Sequence, residues 1–573
     1  MLVLCFAGCS QKSDEDAAAD ISDEASDSAL TLAMYLLCES EVSAEQAAKI
    51  ETAVNKITKS KFKTQLKLYF YTEDKYYEAL EASFAARRQA EEDGLISDTP
   101  ATGKGEDETI INADWGITEI KYPTIDSYQV DIFYLGGLEK FTQYKEEDWL
   151  AKLDDELSHD SKLISDYIAP EYLTYMKKIN SNATYAIPNN APVGKYQYLL
   201  LNKKVLEDTR YNTDAGIAQF TSFTCDAVDR VLSQIDTTKY PIYSSVGADG
   251  LALSGWKYWG VDENGVLCSD FSVYGCEYPD AEYLEKDKSF LVGSNNVIAN
   301  ANFQKAITTL KKYAAEYTYT NEIKKLEEGD VSVAYLEGTT NIPVEYSDKY
   351  VVIEIGTPII ETEDLYRNMF AVCSYSTSVN RSMEIITYLN TNEEFRNILV
   401  YGIEGENYEL VDYRDKNMQE VKDENGKNVK VVRRMEDNTY FMDPEKVGNS
   451  LIGHTLEGEN PLLKYYYKRQ NANLKVSLTM GFVLKNASNE VNVAWLQGLR
   501  TLSIDVLDQI KKADYKDVET AEFWKNLSDY VTKDPNYGPI IAQDTSGNYV
   551  TSLYQMYENW GVGMGIYDPS AAE

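Results

Sequence analysis

YAIPNNAPVGKYQYLLLNKKVL, residues Tyr185–Leu206, decides how the rest of the chain is read. An apolar strand runs into Pro188. A polar turn carrying Asn189, Asn190, Pro192 and Gly194 follows, and the chain re-emerges as the apolar run Tyr198–Leu201 before Asn202 and two lysines. Strand, rigid polar joint, strand is the pattern of a chain leaving one α/β lobe for another. Such a joint predicts a ligand cleft beside it, because crevices between lobes are favoured binding sites.

Upstream, Leu30–Leu37 (LTLAMYLL) reads as a buried strand, and Ser43 with Gln46 forms a capping box that opens a helix with Ala47, Ile50, Val54 and Ile57 on one face. Gln65–Tyr71 alternates as a second strand. A helix with Tyr77, Leu80 and Phe84 follows, with Gly94 as its C-cap. Ser97–Glu108 is a turn-rich loop. Asp131–Leu135 is a third strand ending in Gly136-Gly137, a pair that allows close backbone approach to a ligand or simply makes a tight βα turn. Strand–helix repeated three times predicts an open α/β sheet.

Downstream, Ser244–Asp270 predicts an inserted β-hairpin with a Trp256-x-Tyr258-Trp259 cluster and an Asn264-Gly265 turn. Ala306–Tyr317 is an amphipathic helix, Val331–Leu336 and Val351–Ile355 are strands, and Gly356–Pro358 is a second candidate crossover. Asn380 is placed to cap a helix bearing Met383, Ile386 and Leu389, and a further helix stops at Gly402. Asp423–Gly426 is a hairpin turn, and Val491–Lys512 and Val518–Val531 are helical. There is no internal repeat.

A chain of 573 residues exceeds one core and suggests two to four lobes. Its net charge of −38 repels phosphate backbones and anionic headgroups, which argues against nucleic acid as a partner. Tyrosine, at 45 residues against 7 Trp, supplies flat rings with polar tips, suited to wet interfaces and sugar faces, though most are expected to be structural. With His159 and His454 as the sole histidines, metal and triad chemistry have little material, and neither a metal nor a cofactor is expected. Besides Cys5 and Cys9, the five cysteines Cys38, Cys225, Cys268, Cys276 and Cys373 are an odd, scattered set and make no disulfide framework; Cys268 and Cys276 either pair across a hairpin or stand as isolated thiols.

The first residues, MLVLCFAGC, resemble the end of a lipoprotein signal, with Phe6-Ala7-Gly8 directly before Cys9. The positive region is missing and the apolar run is short for a complete signal, so the sequence is expected to start inside a longer one. Lipid on Cys9 is the expected anchor. Residues 10–28, small, polar and acidic, are the expected disordered tether.

Four blocks in order carry a family resemblance: the lipobox at Cys9; DIFYLGGLEKF with WLAKLDDEL; YAIPNN with YLLLNKKVL; and SMEIITYLNTNEEFRNILVYGIEGENYEL. The chain resembles the family-1 extracellular solute-binding lipoproteins of bacterial ABC importers, of the Gram-positive, maltose-binding-protein-like type. The last block is close to the family's YLNTD…NLLVYGIEG segment, with Asn407 where many members have His. The resemblance covers residues 29–410 and extends loosely beyond.

It implies an α/β, two-lobe, periplasmic-binding-protein-like (type II) fold with hinge crossovers and inserted β-hairpins. Residues 1–9 are then a partial signal and 10–28 a tether; 29–190 with 357–440 form lobe 1, and 191–356 with 441–573 form lobe 2. It further implies capture of a carbohydrate, an oligosaccharide above all, hinge closure as a population shift, and delivery to permease subunits outside the membrane. By position, the ligand contacts are Glu39, Gly136 and Gly137 from lobe 1, then Asn189, Asn190 and Tyr196 from the crossover. Trp256 or Trp259 is the aromatic platform, Glu337 or Thr339 its polar partner, and Tyr375 comes from the return segment. A peptide or other small solute is the competing ligand. A secreted glycoside hydrolase would need a defined pair of carboxylates, and no motif singles one out among 93 acidic residues. A structural surface protein fits the α/β pattern poorly.

Overall fold

The computed structural model describes residues 29–96, 110–112, 117–120, 122–159, 161–168, 170–213, 216, 230–244, 256–258, 260–261, 267–268, 271–277, 295–415, 417–423, 426–436, 438, 440–476, 480–481, 490–534, 542–543 and 549–551. Cys9, the tether, the Ser97–Glu108 loop, Trp259 and the Asn264-Gly265 turn lie outside the described residues.

In chain order, the strands of the two large sheets are β1 (Leu30–Cys38), β2 (Thr64–Thr72), β3 (Ile132–Leu135), β4 (Ala186–Pro188), β5 (Tyr196–Asn202), β6 (Ile242–Ser244), β7 (Tyr319–Thr320), β8 (Val333–Gly338), β9 (Tyr350–Gly356) and β10 (Met369–Val372). The helices that matter here are α1 (Ala44–Phe62), α2 (Glu73–Glu92), α3 (Leu138–Glu146), α4 (Ala301–Glu316), α5 (Val379–Thr391), α6 (Glu393–Tyr401), α7 (Leu463–Asn471), α8 (Glu490–Lys512) and α9 (Ala521–Lys533).

The chain divides into two compact units, Met1–Ala191 with Leu365–Pro461 and Pro192–Asp364 with Leu462–Glu573. It passes between them at Ala191/Pro192, Asp364/Leu365 and Pro461/Leu462. The first passage falls inside Tyr185–Leu206. The second lies a few residues beyond Gly356–Pro358, and the third lies well beyond residue 440. The third is late because Tyr440–Leu456 packs on the first unit: Met442 N–H donates to Val400 C=O (3.0 Å) and Tyr401 Oη to His454 C=O (2.7 Å).

In the first unit the sheet order is β2-β1-β3-β10-β4, with β1 parallel to β2 and β3, and β10 antiparallel to β3 and β4. All nine residues of β1 are buried, which is why it reads as one apolar run rather than an alternation. Pro188 is tolerated because β4 is the sheet's edge. Ser43 caps α1 by accepting from Gln46 N–H, but only half the predicted box forms, since the Gln46 side chain donates to Asn407 Oδ1 (3.1 Å). α5 starts two residues earlier than its pattern suggests: Ser378, not Asn380, is its cap.

In the second unit the order is β7-β6-β8-β5-β9, with β5 antiparallel to β8 and β9. One face is covered by Tyr211, Val231 and Leu232; the other carries Tyr346 and Leu326. A separate helical core joins Phe303 and Ile307 of α4, Leu499, Leu502 and Val506 of α8, and Trp524 and Leu527 of α9. The predicted hairpin is more elaborate than its turn suggests. Trp256–Tyr258 pairs with Tyr274–Glu277, and Gly260–Val261 with Leu267–Cys268. Cys268 stands opposite Gly260 and Cys276 opposite Lys257, so the two are not cross-strand partners. Among the described residues no helix is long and apolar enough to cross a membrane.

Candidate functional site

Strand direction sorts the predicted site residues. In the first unit the carboxyl ends of β1, β3 and β4 and the amino end of β10 share one edge of the sheet. That edge gathers Glu39, Gly136, Gly137, Asn189 and Asn190, as the crevice rule for α/β sheets demands. Tyr375 is a correction. It follows β10 and therefore sits at the opposite end, where its hydroxyl donates to Tyr128 C=O (3.2 Å) and its ring meets Trp149 edge-on at 5.9 Å. Tyr375 is part of an aromatic stack with Arg87 over its face at 4.8 Å, and not part of the edge.

The glycine turn is tightly held. Tyr77 Oη, from α2, accepts from Gly136 N–H (3.0 Å) and donates to Gly136 C=O (3.1 Å), and burial pushes this phenol up to about 12. Gly137, at φ 88°, caps α3 and donates its N–H to Tyr366 C=O (2.6 Å). A Cβ at Gly136 would stand 2.5 Å from Tyr134 Oη, which itself donates to Asn368 Oδ1 (2.6 Å). The turn needs Gly136 for its close approach to Tyr134, and both glycine N–H groups are already bonded.

The two asparagines differ. Asn190 is anchored: its side chain donates to Tyr167 C=O, and its own carbonyl accepts from Ser450 N–H (2.9 Å) and Oγ (3.1 Å). Asn189, 5% exposed, donates N–H to Asn368 C=O (2.8 Å) and Nδ2 to Glu445 C=O (3.1 Å), while its Oδ1 has no partner among the described residues. A buried acceptor without a donor carries a desolvation cost. Beside it, Lys446 Nζ pairs with Glu39 at 3.2 Å. Burial, reinforced by Asp443, holds the Glu445 carboxyl above its usual range, with Arg367 opposing.

The corresponding edge of the second unit is built from the amino end of β5 and the carboxyl ends of β8 and β9, with Gln197 opposite Glu337 and Tyr196 opposite Gly338. Tyr196 stacks on Tyr198 at 5.9 Å, and Tyr198 Oη donates to Thr339 C=O (3.2 Å). Glu337 is the last residue but one of β8 rather than a loop residue. Its carboxylate lies 3.7 Å from Lys195 Nζ and accepts from Tyr335 Oη (3.3 Å) and Gln197 Nε2 (3.5 Å). Gln470 of α7 secures the start of this edge by donating to Val193 C=O (2.7 Å) and Gly194 C=O (2.8 Å). Trp256 is not on this edge: its strand belongs to the separate three-stranded sheet. Tyr77, Asn368, Glu445, Lys446, Gln197 and Gln470 were missed. The one usable signal was Arg367-Asn368 directly before the apolar strand Met369–Val372.

No family model matches the chain. A carbohydrate ABC transporter substrate-binding protein of Streptococcus pneumoniae serotype 4 (strain ATCC BAA-334 / TIGR4) is 30% identical over 125 residues, 22% of this chain. That match spans about a quarter of the relative's length, 23%. Among solved structures, the N-glycan transport solute binding protein of Streptococcus pneumoniae is similar over 88% of this chain and 99% of its own, at 16% identity and a TM-score of 0.43. A family 1 extracellular solute-binding protein from Alicyclobacillus acidocaldarius covers 88% and 99% at 9% identity and 0.40. The sugar-binding protein MalE of Xanthomonas citri covers 88% and 98% at 11% and 0.35. The α/β architecture is read from the chain's own strand order and passages between units.

Proposed function

We propose that this chain is an extracytoplasmic substrate-binding protein that captures an oligosaccharide and delivers it to the permease of an ABC importer. The observation that carries the reading is that each unit presents one edge of strand ends set with polar and tyrosine side chains, on a chain that passes three times between the units. The 125-residue likeness to a carbohydrate ABC transporter substrate-binding protein supports the transporter role and the ligand class. Glu39 and Asn189 of the first unit and Tyr196, Glu337 and Thr339 of the second are the proposed contacts. Carboxylate and amide oxygens accept from sugar hydroxyls, and a tyrosine ring covers the apolar face of a pyranose. The protein works by binding, without catalysis or a cofactor, and Cys9 carries its lipid anchor.

A thermal-shift screen tests this with a panel of maltohexaose, mannopentaose, chitotetraose and short peptides. At least one glycan is expected to raise the melting temperature; shifts from peptides alone would replace the carbohydrate by a peptide. For the anchor, a precursor with a complete signal and Cys9→Ser should appear in the medium, and its retention in the membrane would refute lipidation at Cys9.

A further inference from the structure

The segment Asp443–Val447 forms a strap, with one turn of 3-10 helix at Pro444–Lys446. Its outer side meets the ligand edge of the first unit twice, through Glu445 C=O to Asn189 Nδ2 (3.1 Å) and through Lys446 to Glu39 (3.2 Å). Its inner side is held by Arg396. This arginine is fully buried on α6; its Nε donates to Val447 C=O (2.9 Å) and its Nη2 to Pro444 C=O (2.6 Å), while Nη1 has no partner among the described residues. Burial draws the guanidinium down to about 10.

A buried cation bonded to two carbonyls is a costly way to hold one turn of backbone. A planar fork can nonetheless fix two carbonyls three residues apart in one rigid geometry, which an apolar side chain cannot do at all and a freely rotating ammonium does with less directional control. The rest of the last resemblance block grips the flanks of the strap in the same way. Leu399 C=O accepts from Tyr440 Oη (2.6 Å), Asn397 Oδ1 from His454 N–H (3.1 Å), and Asn390 C=O from Asn449 Nδ2 (3.2 Å). This gives the block NTNEEFRNILVYGIEG a physical task that the binding residues alone leave unexplained.

We propose that Arg396 is a positioning residue for ligand binding: through the strap it sets the Glu445 carbonyl against Asn189 and Lys446 against Glu39. The proposal rests on the reading of this edge as a ligand surface.

The test uses the full chain with Arg396→Lys and Lys446→Met, amide hydrogen exchange without ligand, and calorimetric titration with whichever panel oligosaccharide shifts the wild type most. In Arg396→Lys the amides of Glu445–Val447 should exchange about tenfold faster while β10 keeps its protection, and affinity should fall about tenfold. Lys446→Met, at a half-buried side chain outside the hydrophobic core, should weaken binding similarly. Unchanged strap exchange in Arg396→Lys, or wild-type affinity in both variants, would overturn the proposal. Should Arg396→Lys fail to fold, Lys446→Met decides it by affinity. If no glycan binds the wild type, the carbohydrate reading fails, and the exchange measurement alone decides what Arg396 does.

Discussion

At the scale of single residues, tyrosine explains itself as structure. Tyr76 Oη donates to Tyr134 C=O (2.8 Å), Tyr350 Oη to Leu326 C=O (2.7 Å), and Tyr77 Oη closes the Gly136 turn. Tyr77→Phe should destabilise the protein by about 1–2 kcal/mol, because it strands the Gly136 N–H and C=O together; urea titration measures this, and an unchanged midpoint would show the turn does not need the hydroxyl. A pH effect belongs to Asp154. Burial pushes its carboxyl up, but bonds from Lys177 (2.9 Å) and Thr184 N–H (3.0 Å) outweigh that and hold it below the usual 3.8. A depressed folded value means the native state gives up this proton more readily than the unfolded chain. The stabilisation is therefore complete above about pH 4 and is lost as pH falls through the folded value. Asp154→Asn should cost about 1 kcal/mol at neutral pH, the pair being partly exposed, and progressively less as pH falls below the unfolded value. A cost independent of pH would contradict this.

At the scale of elements, caps decide where the helices of the last block begin. Asn392 accepts from Phe395 N–H (2.8 Å) and starts α6, the helix that carries Arg396. Asn392→Ala should lower stability by about 1 kcal/mol, read by chemical denaturation. Gly453 lies against Arg396, where an added Cβ would collide with Nη1. Gly453→Ala should therefore cost several times more than Asn392→Ala, on the order of 3 kcal/mol from overpacking; equal costs would mean that Arg396 moves aside freely.

At the scale of the whole molecule, binding is a statement about the native state. A ligand at a hundredfold excess over its Kd adds about 2.7 kcal/mol of stability by mass action. The melting temperature should therefore climb with the logarithm of glycan concentration above Kd, whereas a shift that grows only linearly at high concentration would indicate nonspecific stabilisation instead. Asn189→Ala should weaken this dependence by removing an acceptor that has no donor among the described residues. Tyr375→Phe should leave it unchanged, because that ring sits at the far end of the sheet.

The sequence alone determined the alternating strands and helices, since β1 is apolar throughout and α1 keeps Ile50 and Val54 on one buried face. The Pro- and Asn-rich turn between two apolar runs was legible as a joint, and the division into two compact units falls within it, at Ala191/Pro192. Only the tertiary structure decided which predicted residues share an edge. β10 runs antiparallel to its neighbours, and that direction, invisible in MFAV, puts Asn368 beside Asn189 and sends Tyr375 to the opposite end. It also decided what the Tyr185–Leu206 stretch does with its two asparagines. Asn190 is tied to Tyr167 and Ser450, while Asn189 Oδ1 has no partner among the described residues, a difference set by partners 23 and 256 residues away along the chain.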